Sequence, residues 1–270
     1  MSVPAAVQKR LNSAVPKFKK ILADSKERDV NESDTVTIIT DMLEEIFGFD
    51  KYTDITREYA IQGTYCDLAI KTGKIVDYLI EVKAIGLDLK DNHLKQAVNY
   101  ASREGIKWVV LTNGIQWQIH RVTLDTKVMS EELCEINFLE INPKKKDEAK
   151  LLFLLCKRGL IKDNIDRYYE HKQSFNRYSI GSFLCTEAVA SLVRREMRKM
   201  KPDVKVSVEE IQEMIEAEVL KREVVDSDSG RDAAKQVKKF YKSQARAKAS
   251  KPKKETVGKD KVAETSIDSD

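Results

Sequence analysis

The dipeptide Asn113-Gly114, set inside KWVVLTNGIQWQIHRV, constrains this chain more than any other stretch. Asn-Gly tolerates the positive backbone angles that a tight hairpin turn demands. Apolar and aromatic residues flank it on both sides, so residues 107–122 are predicted to be a β-hairpin. Three strand-like stretches come earlier. ITREYAI and TYCDLAI lead to the turn KTGK, centred near Gly73, and then to IVDYLIEVKA. Between these and the hairpin lies LKDNHLKQAVNYASREG, where Leu94, Ala97, Val98 and Ala101 recur at helical spacing and Gly105 marks the end. LCEINFLEI adds an edge strand.

Two helices precede the strands. Val7, Leu11, Val15, Phe18, Ile21 and Leu22 form the apolar side of the first, with an adjustment expected at Pro16. Asn31 caps the second, Asp34 follows three residues on, Ile38, Met42, Leu43, Ile46 and Phe47 make its stripe, and Gly48 ends it. The order is helix, helix, three strands, helix, two strands. It predicts an α/β fold with a mixed β-sheet flanked by helices over residues 1–144.

Residues 145–225 read as a small helical region. EAKLLFLLCKRGLI, SIGSFLCTEAVASLVRREMRKM and VKVSVEEIQEMIEAEVLKREVV are predicted as one helix each. Ser207 and Glu210 make a capping box in the last, with Val206 and Ile211 as its hydrophobic staple. Residues 226–270 are expected to be a basic, largely disordered tail, although GRDAAKQVKKFYKSQARAKA has the composition of a basic helix.

A chain of 270 residues that is 41% hydrophobic can build a real core, and its net charge of +4 is far from that of a polycation. The basic residues crowd between Arg231 and Lys261, which suits nucleic acid and a solubilising tail equally well. No apolar leader opens the sequence, and LLFLLC is too short to span a bilayer, so a cytoplasmic location with no membrane partner is expected. The four cysteines are scattered without a CxxC pair and read as reduced. The three histidines show no ligand spacing, which argues against zinc.

The chemistry concentrates in two strands. Side chains alternate along a strand, so in YLIEVK residues Glu81 and Lys83 share one face while Ile80 and Val82 share the other. Asp67 lies before the Gly73 turn and Glu81 after it, which makes them opposite or diagonal neighbours in an antiparallel hairpin. Two adjacent carboxylates repel unless a cation lies between them. Mg²⁺, with Mn²⁺ as the alternative, accepts one or two carboxylates and leaves places for phosphate oxygens. Lys83 is placed to assist a water and to stabilise charge developing on phosphorus. A lone Glu-x-Lys in a strand is ordinarily an exposed ion pair. Two features weigh against that here: Gln96 and Tyr100, i and i+4 on one side of the following helix, and the acid Glu32 at the start of an earlier one. Trp108, Trp117 and His120 read as strand packing.

An acidic helix start, CDLAI, EVKA, QAVNY and WVVLTNGIQWQIHRV, in that order, resemble the N-terminal nuclease domain of the R subunit of type I restriction enzymes, a member of the PD-(D/E)XK superfamily. The resemblance covers roughly residues 28–140. It implies Asp67, Glu81 and Lys83 as the catalytic motif, with the metal on Asp67 and Glu81. It implies Gln96 and Tyr100 as the QxxxY motif of the RecB-like members and Glu32 as the acid of the first helix. The superfamily's Pro-Asp is Cys66-Asp67 here. R subunits continue into an ATP-driven translocase, and this chain has no GxxxxGK[ST] loop.

Three readings follow. The first is a Mg²⁺-dependent endonuclease acting on DNA in restriction or defence. The second is a nucleic-acid-binding module that does not cut. The third is a nuclease subunit working with a separate ATP-dependent translocase or other restriction subunits. Two cuts on a duplex would favour a homodimer or repeated encounters.

Overall fold

In a computed structural model that describes residues 2–61, 64–124 and 127–249, the chain opens with α1 (Ala5–Glu27), which buries Val7, Leu11, Val15, Phe18 and Leu22 along one stripe. Pro16 lies inside α1 without ending it, held between the buried Val15 and Phe18. α2 (Glu32–Met42) starts where Asn31 accepts a 2.9 Å hydrogen bond from the Asp34 amide. Its last turn, Leu43–Phe47, widens to π geometry before Gly48 turns out at φ 79°. Carbonyls left over at such a helix end need donors. Arg10 of α1 supplies them, reaching Ile46 O at 2.9 Å and Phe47 O at 3.3 Å.

The strands β1 (Ile55–Ile61), β2 (Thr64–Thr72) and β3 (Ile75–Val82) pair antiparallel in sequence order. The helix α3 (Asp91–Arg103) then carries the chain across to β4 (Trp108–Thr112), which lies parallel to β3. Parallel neighbours require a long crossover, and α3 provides it. β5 (Gln116–Leu124) and β6 (Val128–Asn137) complete a six-stranded sheet in the order β1-β2-β3-β4-β5-β6. Gly73 (φ 67°) and Gly114 (φ 84°) take the left-handed conformation at the two turns assigned to them. β6 is an edge strand as expected, opposite β1, but it begins at Val128, upstream of the stretch expected to form it.

The sheet buries two faces. Leu68, Ile70, Tyr78, Ile80, Val82 and Trp117 join the core that holds α1 and α2. Ala69, Leu79, Val109 and Leu111 pack with Leu94, Ala97, Val98 and Ala101 of α3. The alternation within β3 therefore turns Glu81 toward the face that α3 covers.

The division of the chain differs from the expected 1–144. It falls into two compact units, Met1–His171 and Lys172–Asp270. The helices α4 (Lys146–Leu154), α5 (Lys157–Leu160) and the start of α6 (Asn164–Ser174) belong with the sheet, because Leu152, Phe153, Leu155, Leu160 and Ile165 fill its first core. The single helix expected around residues 148–161 breaks where Cys156 becomes extended (ψ 142°), and the Lys157 ammonium pairs with the buried Asp54 at 2.5 Å. No strong apolar period announces α6, which buries only Asn164 and Ile165.

In the second unit, the helix expected to begin at Ser179 is two helices, α7 (Arg177–Leu184) and α8 (Glu187–Met200), separated at Cys185 and the extended Thr186. Ser207 and Glu210 form their capping box at the head of α9 (Val208–Met214), which runs into a π turn over Ile215–Val219. Leu220 is extended (ψ 139°), so α10 (Arg222–Val225) is separate from α9. The expected disorder after residue 226 is corrected in part. Residues Asp228–Ala249 form α11, which buries Ala233 and Val237 at i and i+4. The remainder of that expectation, residues 250–270, lies outside the described residues. Among the described residues no helix is long and apolar enough to cross a membrane.

Because Leu152 is fully buried in the sheet's core, Leu152→Ala should destabilise the first unit by about 2–5 kcal/mol in a denaturant titration. A loss under about 0.5 kcal/mol, typical of surface positions, would contradict the placement of α4.

Candidate functional site

Asp67 and Glu81 meet because of an irregularity in the β2–β3 hairpin. Next to the Gly73 turn the pairs are Thr72↔Ile75 and Lys71↔Val76. Continued without a break, that register would set Asp67 across from Ile80, on the face away from Glu81. Instead the register shifts between Ile70 and Lys71, so the next pairs are Ile70↔Tyr78, Ala69↔Leu79 and Leu68↔Ile80. One further step sets Asp67 across from Glu81. An extra residue in one strand of a pair transfers every side chain beyond it to the opposite face.

The side chains are tied down locally. Asp67 Oδ2 accepts a 2.7 Å hydrogen bond from the Val82 amide. Lys83 Nζ donates to Glu81 Oε1 at 2.8 Å and to the Val82 carbonyl at 2.8 Å. It also lies 3.5 Å from Glu32 Oε2, so the first residue of α2 joins the group. Glu81 is 7% exposed, rare for a carboxylate.

Burial pushes the Glu81 carboxyl up to about 7, and the neighbouring Asp67 charge adds to the rise while Lys83 opposes it. Burial also raises Asp67, against the hydrogen bond from Val82 and the charge of Lys83. For Lys83 burial acts downward, but the hydrogen bond and charge of Glu81, with Glu32 and Asp67, more than offset it and leave the ammonium above its ordinary value. The group thus holds a firmly protonated lysine against two acids that resist carrying full charge together.

Gln96 Nε2 donates to the Tyr100 hydroxyl at 2.9 Å and to the Tyr65 carbonyl of β2 at 3.2 Å. Gln96 and Tyr100 lie on one side of α3 as expected, but Tyr100 is 3% exposed and packs in the α3 core. Its long apolar ring goes inward while the hydroxyl stays bonded. His93 reaches back to the Lys90 amide (3.3 Å) and so caps the start of α3. Trp108 and Trp117 are buried, as packing residues should be. His120 is buried too, and burial lowers its basicity.

Two contributors were not anticipated. Glu58 lies between the pairs Arg57↔Leu68 and Tyr59↔Cys66, across from Asp67, and its charge raises the Asp67 carboxyl. It sits at φ 47°, unusual for a residue with a side chain. The signal available was an acid in the strand next to CDLAI, readable only once β1 and β2 were known to pair. The other is the Val82 peptide, whose amide holds Asp67 and whose carbonyl meets Lys83. No side-chain pattern reports a backbone group.

Among the described residues, no cluster of three or more His, Cys, Asp or Glu side chains is arranged to hold a metal ion. A hard cation such as Mg²⁺ needs less, since one or two carboxylates suffice when substrate and water fill the rest. The oxygen-only donors Asp67 and Glu81, both raised by burial, with the Asp67 charge adding to the rise at Glu81, fit that requirement.

Residues 38–137 match the family model of the type I restriction enzyme R protein N terminus. The matched segment holds β1 to β6 and α3, with Asp67, Glu81, Lys83, Gln96 and Tyr100, while Glu32 precedes it. No curated protein and no solved structure matches the chain significantly.

The raised Glu81 carboxyl has a cost that depends on pH. Below about pH 4.5 it is protonated in both the folded and unfolded chain, and nothing is lost. As pH rises toward about 7 the unfolded chain releases the proton first, so stability falls, by up to about 3 kcal/mol above pH 7. Glu81→Gln should therefore raise the metal-free Tm by about 4 °C or more at pH 8 and change it little at about pH 4.5. Equal shifts at both pH values would contradict the burial argument.

Proposed function

We propose that the first unit is a divalent-metal-dependent endonuclease that hydrolyses DNA phosphodiester bonds in a restriction or defence role. The supporting observation is the bulge-aligned pair Asp67 and Glu81 with Lys83 beside them, inside a segment that matches a restriction-enzyme family. Asp67 and Glu81 would hold Mg²⁺ or Mn²⁺. When bound, the ion supplies Lewis-acid polarisation of a phosphoryl oxygen and acidifies water at neutral pH.

The chain's own residues do the rest. Lys83 keeps its proton, so its part is electrostatic: it donates to charge growing on the phosphoryl oxygens rather than taking a proton from water. Glu81 and the Val82 carbonyl aim the ammonium. Glu32 restrains it from the far side. Gln96 is a positioning residue: its amide bonds the Tyr100 hydroxyl and the Tyr65 carbonyl and so holds α3 against the strand that carries Asp67.

A second reading has one observation in its favour. The Lys83 ammonium pairs with Glu81 at 2.8 Å, a contact that a binding module that does not cut would also use. A subunit partnered with a separate ATP-driven motor is a third arrangement and keeps the same site.

Plasmid cleavage with Mg²⁺ or Mn²⁺ tests the nuclease reading. Asp67→Ala and Glu81→Ala should each lower the rate by about 10³, and Lys83→Ala by about 10²–10³. Gln96→Ala should cost about tenfold. Fully active Lys83→Ala protein would remove the lysine's role. DNA binding that survives Glu81→Ala without any cleavage by the parent protein would favour the non-cutting module.

A further inference from the structure

The second unit segregates its charge. Residues 194–205 carry six Lys or Arg against two Asp or Glu, and residues 208–219 carry five Glu and no basic residue. Residues 231–246 carry six basic residues and one acid. The two basic stretches lie on α8 and its continuation and on α11. A cleft of about 840 Å³ separates parts of these helices, with a floor that includes Gly181, Ala188, Leu220, Val224 and Val237. Lys238, Tyr241 and Lys242 of α11 line the same cleft. Along α8 lies a second hollow, lined by Arg194, Arg195, Arg198 and Lys199. Ala188 and Ser191 line both, so the cationic hollow adjoins the apolar cleft along α8.

Arg195 and Lys199 are engaged by Glu196. Arg194, Arg198, Lys238 and Lys242 have no acidic partner among the described residues, and two carboxylates, Glu187 and Glu216, also line the cleft. Tyr241 stays 38% exposed, its ring 5.4 Å from that of Phe240 and nearly perpendicular to it. A groove with an apolar floor, an exposed aromatic ring and cations along its edges fits one class of polyanion better than others. Unpaired bases stack on the ring and floor while phosphates follow the edges. A duplex keeps its bases stacked on one another and has no use for the floor.

We propose that the cleft between α8 and α11 binds single-stranded nucleic acid, with Arg194, Arg198, Lys238 and Lys242 on phosphates and Tyr241 under a base. The choice of nucleic acid over another polyanion rests on the nuclease reading of the first unit, but the binding does not require that reading's metal or chemistry.

The test uses the full chain carrying Glu81→Gln, in EDTA, so that cleavage plays no part. Fluorescence anisotropy would follow a labelled oligothymidylate of about twelve nucleotides and a duplex of equal length across about 50–200 mM salt. Single strand should bind at least about fivefold tighter than duplex. Charge reversal at Arg198 and Lys242 should weaken single-strand binding by about tenfold or more, and the log–log salt slope should fall by about 0.7 for each phosphate left without its cation. Tyr241→Ala should cost about fivefold or more. Conservative Arg198→Lys and Tyr241→Phe should retain binding, which separates direct recognition from folding. Single-strand affinity within twofold of the parent after charge reversal, or an equal preference for duplex, would overturn the proposal. Plasmid cleavage by the protein without the Glu81 change tests the first unit separately, so failure of either reading is visible by itself.

Discussion

One extra residue in the β2–β3 hairpin decides what the sheet can do. With the shift between Ile70 and Lys71, Asp67 faces Glu81; without it, Asp67 would point into the core that holds Ile80. An unpaired carboxylate in that core would cost several kcal/mol. The bulge therefore cannot slip to a regular register without both scattering the acids and burying one among aliphatic side chains. The hydrophobic pattern of β2 and β3 protects the polar site, because register is strongly specified wherever a face is buried.

The acids are placed against their own electrostatics. Glu81 is almost fully enclosed, and its carboxyl resists ionisation because burial and Asp67 both act on it. Lys83 offsets part of that, but it is shared among Glu81, Glu32 and the Val82 carbonyl. One ammonium is not enough for three nearby acids. Local strain at Glu58 (φ 47°) lies in the same neighbourhood. Buried acids short of positive charge stabilise a fold poorly.

Much of this was legible in the residues. The Asn113-Gly114 and Gly73 turns, the caps at Asn31 and Ser207, and the alternation in YLIEVK are local signals, and local signals survive folding. The spacing of Asp67 and Glu81 about Gly73 placed them together, although the bulge that makes the spacing work left no mark of its own. Other features depended on distant partners. Tyr100 reads as a polar partner of Gln96 until it joins Cys66, Ala69 and Leu79 in the core under α3. Residues 146–165 look like the start of a separate helical region until the uncovered face of the sheet claims Leu152 and Phe153. Likewise α11 looks too charged to order itself, yet Ala233 and Val237 give it a narrow seam against α7. Periodicity shows that a face is apolar and does not show what covers it.

The coupling between α3 and the hairpin reflects the same shortage of polar partners. Gln96 has a single amide nitrogen, and it spans the Tyr100 hydroxyl on its own helix and the Tyr65 carbonyl on β2, two residues before Asp67. Tyr100 cannot turn away, because its ring is part of the core. The helix is thereby fixed against the strand that carries the acid by one rigid anchor and one adjustable bridge. A substitution that leaves the ring but removes the hydroxyl would leave the Gln96 amide held by the Tyr65 carbonyl alone without disturbing the packing, whereas losing the ring would disturb both. The hydroxyl and the ring of Tyr100 thus separate positioning from stability within one side chain: the hydroxyl orients the Gln96 amide that reaches β2, and the ring packs.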